Sequence, residues 1–290
     1  MIPHMHIIAW SNDAPWASLR QIEQDLIIIR SVIDIFNDDF LADELRFRGG
    51  TALNKLHFPQ ALRYSEDIDL VRTSEGPIGP VLDRLREVLG WLGQAQFEQS
   101  PVAPKLIYHV DADDSGPQLR LKVEINTRER EAYDAPVSIL HAVDNPWFTG
   151  QADVVTYSRE ELLATKLRAL LQRDQGRDLF DLARALEIFE GLNKHRVVEI
   201  FVRYLALQDL NITRAQAEQR MFAKLQNPGF LSDLRPLLPA PQAQSLNEET
   251  MKEAFVSVFV HLITGIAGGP WRRTEEMAKR FEVDLSTSAT

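Results

Sequence analysis

Two aspartates one residue apart have the types and spacing needed for metal chemistry. Asp67 and Asp69 alternate with the apolar residues Ile68 and Leu70. Because side chains alternate between the two faces of a β-strand, a strand here would bury Ile68 and Leu70 and project both carboxylates from the other face. Adjacent carboxylates repel each other unless a cation lies between them, and such oxygen ligands suit Mg²⁺, or Mn²⁺ in its place, together with substrate phosphates. The simpler alternative is an ordinary solvated strand face.

A pair of glycines precedes this strand. Gly49 and Gly50 follow a short alternating run at residues 45–47 and open a helix-like segment at residues 51–56. Glycine lets the backbone come close to a ligand because it has no Cβ atom, and a helix N-terminus offers N–H groups to a phosphate. Thr51 would either cap this helix or bind a phosphate through its hydroxyl. A glycine pair alone is most often only a turn.

The glycine turn, the short helix and the paired carboxylates follow one another within residues 47–70. This order resembles the nucleotidyltransferase pattern of the polymerase-β type. Residues 49–53 (GGTAL) and 63–70 (RYSEDIDL) are also similar to the AbiEii/AbiGii toxin family, the nucleotidyltransferase toxins of type IV abortive-infection and toxin–antitoxin systems. The resemblance covers roughly residues 15–190.

A third carboxylate is predicted in a later strand. In residues 118–126 apolar side chains alternate with polar ones, and Glu124 lies on the polar face. Strand pairing would bring Glu124 beside Asp67 and Asp69, and in polymerase-β-like enzymes such a residue helps to bind a metal or activates the attacking hydroxyl. The alternative is a salt-bridged strand face without a catalytic role.

Two residues at the end of the loop before the carboxylate strand have open roles. Arg63 and Ser65 would either contact a triphosphate or pair with Glu66 and cap the turn. The resemblance includes Ser65 in the family motif, which favours the functional role for that residue.

Lys166 lies in a predicted helix that starts at the capping box Ser158–Glu161. A lysine among apolar helix residues is usually a surface residue whose ammonium reaches the solvent. Residues 161–170 (ELLATKLRAL) are, however, similar to a lysine-bearing helix of the family. The resemblance implies that Lys166 faces the triphosphate and stabilises charge as pyrophosphate leaves.

Asp178 and Asp181 are three residues apart in the next predicted helix and therefore share a face. Acidic residues in a first helical turn also stabilise the helix dipole, which is the structural alternative. The resemblance implies that an aspartate of this motif is essential to the site. Which of the two would face the metal is left open, and either one could instead orient Lys166.

The composition bounds the class of protein. The chain has 290 residues, no cysteine and a formal net charge of −10. The absence of cysteine excludes disulfides, zinc–thiolate sites and a cysteine nucleophile. The net charge argues against broad coating of nucleic acid, although a local basic patch could still bind RNA. The N-terminal residues lack the pattern of a signal peptide, and the apolar run at residues 254–267 is too short to cross a membrane, so we expect a cytoplasmic protein.

The predicted fold is α+β: a polymerase-β-like mixed sheet with flanking helices, followed by a helical C-terminal half. We assign residues 1–157 to the catalytic core with its N-terminal helix, and residues 158–290 to a helical domain that contributes the lysine and aspartate motifs to the site. The predicted helices outside the motifs span residues 17–36, 77–92, 194–206, 213–226 and 247–267, strands span 66–72, 105–110 and 118–126, short edge strands span 137–140 and 154–157, and 239–245 is a linker.

The predicted activity is metal-dependent transfer of a nucleoside monophosphate from an NTP. The resemblance implies an RNA acceptor, with the 3′ end of tRNA as the candidate, growth arrest or abortive infection as the outcome, and a cognate antitoxin as the partner. One alternative keeps the same site but attaches the nucleotide to a protein side chain. A second alternative is a non-catalytic regulator that binds nucleotides.

Overall fold

Strands between residues 45 and 156 form a single mixed sheet. The computed structural model describes residues 2–114 and 116–286, and within these residues the sheet has seven strands. The strands are β1 (Leu45–Arg48), β2 (Asp67–Arg72), β3 (Gln96–Glu98), β4 (Lys105–Val110), β5 (Leu119–Asn126), β6 (Val137–Asn145) and β7 (Phe148–Thr156). Their order across the sheet is β3-β4-β5-β2-β1-β7-β6.

The centre of the sheet holds the strands that carry the predicted carboxylates. β2 pairs in parallel with β5, and the register sets Asp67 opposite Lys122 and Asp69 opposite Glu124. β2 also pairs antiparallel with β1, which sets Asp69 opposite Arg48. A parallel pair needs a long connection, and here β3 and β4 lie within it. The register thus places charged side chains of three neighbouring strands next to each other.

Five α-helices accompany the sheet in the described part of the first unit, Met1–Ser158. They are α1 (His4–Trp10), α2 (Leu19–Phe36), α3 (Asp39–Glu44), α4 (Gly49–Ala52) and α5 (Gly79–Val88). The predicted helix over residues 17–36 is confirmed as α2. It begins at a capping box in which the Ser18 hydroxyl accepts a hydrogen bond from the Gln21 N–H, while the Gln21 side chain accepts one from the Ser18 N–H. α2 packs against β5 and β7.

Two predictions in this unit are wrong in their boundaries. The helix predicted at residues 51–56 begins at Gly49 and continues as a π-helical turn over Leu53–His57. The short edge strands predicted at residues 137–140 and 154–157 are the two arms of a long hairpin, β6 and β7, and β7 is no edge strand because it pairs with β1. In β6 apolar Leu140 lies on the exposed face and polar His141 and Asn145 lie on the opposite face, so apolar and polar residues do not alternate and the sequence pattern reveals only the ends of the hairpin.

The second unit, Arg159–Thr290, consists of helices joined by loops in its described part. The helices are α6 (Arg159–Gln172), α7 (Gly176–Ile188), α8 (Lys194–Ala206), α9 (Arg214–Leu225), α10 (Ala240–Ser245), α11 (Glu248–His261) and α12 (Thr274–Phe281). α8 and α9 confirm two predicted helices. The linker predicted at residues 239–245 is wrong: Pro239 lies at the N-cap of α10 and Pro241 lies in its first turn, where proline is tolerated.

The apolar run at residues 254–267 belongs to the core of the second unit. α11 ends at His261, six residues before the predicted end at residue 267, and a 3₁₀ turn follows over Ile263–Gly265. Phe255 and Phe259 are buried, and the centres of their rings lie 5.3 and 5.6 Å from that of Phe222 in α9. No helix in residues 2–114 or 116–286 combines the length and the apolar character needed to cross a membrane.

Candidate active site

The parallel pair β2–β5 brings three carboxylates together on one face of the sheet. Along β2, Ile68 and Leu70 are buried while Asp67 and Asp69 are partly exposed, as the alternation predicts. On β5, Glu124 is also partly exposed and lies directly opposite Asp69. The predicted set of acidic residues in this unit is therefore assembled by strand register alone.

Two lysines for which the sequence predicted no role in the site lie among these carboxylates. Lys122 Nζ is 3.0 Å from Asp67 Oδ2 and 3.3 Å from Glu124 Oε2. Lys105 Nζ, from β4, is 3.6 Å from the same Glu124 oxygen. Burial opposes the charge of Lys122, but the attraction of Asp67, Asp69 and Glu124 outweighs it and raises the pKa of the Lys122 ammonium.

The surroundings of Asp69 disfavour the charged form of its carboxyl group. Its pKa is raised above the usual range for an aspartate, first because the surrounding protein removes water from the carboxylate and then because the charges of Asp67 and Glu124 repel it. Lys122 and Arg48 lower the pKa but do not cancel the rise. A carboxylate of this kind gains stability from an added cation.

We expect the substitution Asp69→Asn to raise the melting temperature while it removes a proposed metal ligand. The neutral amide has nearly the shape of the carboxylate and relieves the repulsion, so an increase on the order of a few degrees is expected at neutral pH without divalent ions. Because the pKa of Asp69 is raised in the folded protein, the wild-type carboxyl becomes neutral as the pH falls through that pKa, and the difference should then disappear. Differential scanning calorimetry of both proteins between pH 4 and pH 7.5 checks this, and a lower melting temperature for the variant at neutral pH would contradict it.

Gly49 is required by its backbone and by its neighbour. Its φ angle of +83° lies in the left-handed region, and an added Cβ atom would lie 2.1 Å from Asp69 Oδ2. Any side chain here would displace the carboxylate of Asp69. The first glycine of the predicted turn thus leaves room for the carboxylate of Asp69.

We expect Gly49→Ala to lower both stability and activity. The strained φ and the clash together should cost about 2 kcal/mol or more of unfolding free energy, and the displaced Asp69 should reduce nucleotide transfer. Gly79→Ala is the matched control because an added Cβ there has no heavy atom within 4 Å. Urea denaturation and transfer of label from NTPs compare the two variants. Equal unfolding free energies and equal transfer rates would show that the absence of a Cβ atom at Gly49 is unimportant.

Thr51 holds the backbone at the carboxylate strand. Its side chain is buried, and Oγ1 donates to the Asp67 carbonyl oxygen at 2.5 Å and lies 2.7 Å from Ser65 Oγ. Because α4 begins at Gly49, Thr51 is inside the helix, and the prediction that it caps the helix is wrong. A direct phosphate contact from Thr51, Gly50 or Ser65 stays a prediction.

Arg63 lies inside the loop that precedes β2. The residue is 3% exposed, and its Nη1 donates to the carbonyl oxygen of Tyr64. The backbone N–H groups of Leu62 and Arg63 donate to Oδ1 of Asn54, whose Nδ2 donates to the carbonyl oxygen of Gly50. These contacts tie the loop to the glycine turn, whereas the predicted contact of Arg63 with a triphosphate stays untested.

The sequence also did not predict the ion pair between Arg48 and Glu129, which lies beside Asp69. Arg48 Nη1 donates to Glu129 Oε2 at 2.5 Å, and Asn126 donates to the same oxygen at 3.4 Å. Asn126 Oδ1 in turn accepts the backbone N–H of Glu129. Only the register of β1 against β2 reveals that Arg48 faces Asp69.

The lysine and aspartate motifs of the second unit form a buried cluster of their own. Lys166 Nζ lies 3.2 Å from Asp178 Oδ1 and 2.8 Å from Asp181 Oδ2. Both aspartates are fully buried, and the Lys166 side chain is 9% exposed. Both aspartates therefore contact the same ammonium. The roles of Lys166, Asp178 and Asp181 in the reaction stay predictions.

Arg173 completes this cluster and was not predicted. Its Nε and Nη2 donate to the two carboxylate oxygens of Asp178 at 2.7 and 2.9 Å. Although burial would raise the pKa of Asp178, the charges of Lys166 and Arg173 and the hydrogen bond from Arg173 hold it below the usual range. Its position five residues before Asp178, across the break between α6 and α7, gives no helical spacing signal.

The donor set of the first unit fits a divalent cation held by two carboxylates. Within residues 2–114 and 116–286, no three histidine, aspartate or glutamate side chains are already arranged as a complete metal cage. Two carboxylates completed by substrate phosphates and water are, however, the usual arrangement for Mg²⁺. Asp67 and Asp69 supply that pair, and a bound cation would offset the burial and the repulsion from Asp67 and Glu124 that raise the pKa of Asp69. Glu124 is in contact with Lys122 and Lys105, so its role as a third ligand stays a prediction.

Comparison with protein families identifies the chain. A family model described as "Nucleotidyl transferase AbiEii toxin, Type IV TA system" matches residues 32–257. The chain belongs to the AbiEii family. Membership confirms the resemblance seen in residues 49–53 and 63–70 and makes the chain a nucleotidyltransferase of a toxin family. Membership also implies an NTP substrate and an antitoxin partner.

Solved structures support the fold of this AbiEii-family chain. It is similar to MenT4, a nucleotidyltransferase toxin from Mycobacterium tuberculosis, with a TM-score of 0.57 and 16% identity over 97% of this chain and 99% of that one. It is also similar to JHP933 from Helicobacter pylori, with a TM-score of 0.53 and 17% identity over 91% of this chain and 97% of that one. The predicted α+β fold is thereby confirmed. A comparison with curated proteins finds no match.

Proposed function

We propose that the chain transfers a nucleoside monophosphate from an NTP to a hydroxyl group of an RNA acceptor, with Asp67 and Asp69 holding Mg²⁺ or Mn²⁺. The observation that carries the proposal is the pair of carboxylates on β2, with the raised pKa of Asp69 and the close approach of its carboxylate to the Gly49 backbone. A bound divalent cation would neutralise charge on the phosphate and orient it for in-line attack.

Some residues of the first unit hold the carboxylate strand in place, and others are proposed to bind the phosphates. Thr51 fixes the backbone of Asp67 through its hydrogen bond. Gly49, Gly50 and Ser65 are proposed to position the β- and γ-phosphates. Glu124 is proposed either as a third ligand or as the group that accepts the proton of the attacking hydroxyl.

In the second unit, Lys166 is proposed to stabilise the charge that develops on the triphosphate as pyrophosphate leaves. Asp178 and Asp181 are proposed to hold its ammonium in place, since both carboxylates contact it. Of the roles that the sequence left open for Asp178 and Asp181, their contacts with the ammonium support the orientation of Lys166.

The acceptor proposed is RNA, with the 3′ end of tRNA as the first candidate, and the outcome is growth arrest or abortive infection opposed by a cognate antitoxin. Family membership in a type IV toxin–antitoxin system supports this part. The net charge of −10 requires that RNA be held by a local surface rather than by overall attraction.

Transfer of label from each of the four α-labelled NTPs to a total extract of RNA and protein tests the proposal. The purified protein is incubated with Mg²⁺ or Mn²⁺ beside the double variant Asp67→Ala/Asp69→Ala. Label in a tRNA-sized band that the variant does not produce is the expected result and identifies the base. Label on protein would instead support a protein-modifying enzyme. Binding of NTPs without label on any acceptor would overturn the transfer activity in favour of a regulator.

A further inference from the structure

Lys122 places a fixed positive charge between two carboxylates of the candidate active site. Its Nζ is 3.0 Å from Asp67 Oδ2 and 3.3 Å from Glu124 Oε2. The Lys122 side chain is 19% exposed, so the ion pair with Asp67 is partly shielded from water. Opposite charges attract more strongly in such surroundings than at the fully solvated surface.

The strand register determines this position. Lys122 lies directly opposite Asp67 in the β2–β5 pair, and Glu124 follows two residues later on the same face of β5. The ammonium therefore meets Asp67 across the strands and Glu124 along its own strand. Lys105 provides a contrast, because it comes from β4 and its ion pair at 3.6 Å is with Glu124.

We propose that Lys122 is an internal counter-ion that competes with a bare divalent cation for Asp67, so that the cation enters most readily together with a triphosphate. This inference rests on the cation-binding part of the proposed function. A bare cation must approach the ammonium and take its partner away. When a triphosphate arrives with the cation, the phosphate oxygens give the ammonium new acceptors, and the penalty is relieved.

Two consequences follow for binding. Without nucleotide, Lys122 keeps the carboxylates neutralised and the affinity for metal low. With a triphosphate present, the same lysine attracts the phosphate and favours the loaded site. By linkage, metal and triphosphate then promote each other's binding.

Titration with Mn²⁺ alone, followed by electron paramagnetic resonance of the free ion, tests the first consequence. We expect Lys122→Met to bind Mn²⁺ on the order of fivefold more tightly than the wild type. Lys122→Arg keeps the charge and should stay close to the wild type. Lys105→Met is the matched control for loss of one lysine, and it should change the affinity less because Lys105 contacts Glu124 rather than Asp67.

A repeat with inorganic tripolyphosphate tests the second consequence. The gain in Mn²⁺ affinity caused by tripolyphosphate should be smaller in Lys122→Met than in the wild type. Unchanged or weaker binding of Mn²⁺ alone in Lys122→Met, an equal gain with tripolyphosphate, or tightening in Lys122→Arg as large as in Lys122→Met would each overturn the inference.

The double variant Asp67→Ala/Asp69→Ala separates this inference from the proposed function. If it binds Mn²⁺ as well as the wild type does, with and without tripolyphosphate, the cation-binding part of the proposed function fails. If it binds Mn²⁺ more weakly while Lys122→Met shows no tightening, only the role of Lys122 fails.

Discussion

Replacing Asp67 with asparagine is expected to lower nucleotide transfer on the order of a thousandfold. The amide keeps the size of the side chain but removes the charge that would hold the divalent cation, and it also takes away one of the two carboxylate partners of Lys122. Initial rates of label transfer from the preferred NTP, measured at several concentrations of Mg²⁺, give the effect.

Asp83→Asn is the matched control for this substitution. Asp83 is an exposed aspartate on α5 that pairs with Arg86, so its loss should leave transfer within about twofold of the wild type. Melting curves of both variants show whether they are folded. Transfer by a folded Asp67→Asn protein at a rate near that of the wild type would mean that the cation is held elsewhere.

The largest effect on stability is expected for Asp178→Ala. The carboxylate of Asp178 is fully buried and contacts Lys166 and Arg173, so its removal leaves the Lys166 ammonium with half of its ion pairs. Breaking a buried pair on one side costs about 3 kcal/mol of unfolding free energy. Urea denaturation measures the loss.

Asp174→Ala provides the comparison within the same connection between α6 and α7. The Asp174 side chain is 69% exposed and pairs with Lys224, so its loss should cost no more than about 1 kcal/mol. Equal losses for the two variants would show that burial of the Asp178 pair does not matter.

The pH dependence offers an independent check on Asp178. Its pKa is lowered in the folded protein, so its contribution to stability is complete above the ordinary aspartate value and is lost as the pH falls through the lowered pKa. The difference between wild type and Asp178→Ala should therefore be constant near neutrality and shrink only in acid. A difference that shrinks already between pH 7 and pH 5 would point to another group.

Local patterns in the sequence were sufficient for the elements of the active-site face. The alternation around Ile68 and Leu70 predicted β2, and the alternation of residues 118–126 predicted β5, because one buried face makes a period of two visible. Burial also alternates along β6 and β7, but apolar Leu140 lies on the exposed face of β6 and polar His141 and Asn145 lie on its opposite face. The full extent of this hairpin is defined by the pairing of the two arms with each other, because the pattern of apolar residues does not mark it.

The acidic residues of the site could be predicted, but their basic partners could not. Asp67 and Asp69 are recognisable together because they are close in sequence. Lys122 and Arg48 meet them only through strand register, and a shift of one residue would turn either side chain to the other face. Arg173 reaches Asp178 across a loop, where spacing has no fixed geometric meaning.

The parallel pairing of β2 with β5 also determines when the site can form during synthesis of the chain. The ribosome synthesises the chain from its N-terminus, so β2 is made before its neighbour β5. The pairing of β1 with β7 can form only later still. It joins Phe47 to Thr156, which lies past the midpoint of the 290 residues. Pairings between such distant segments form slowly. The carboxylate face of Asp67, Asp69 and Glu124 can therefore assemble only after β5, which ends at Asn126, has left the ribosome.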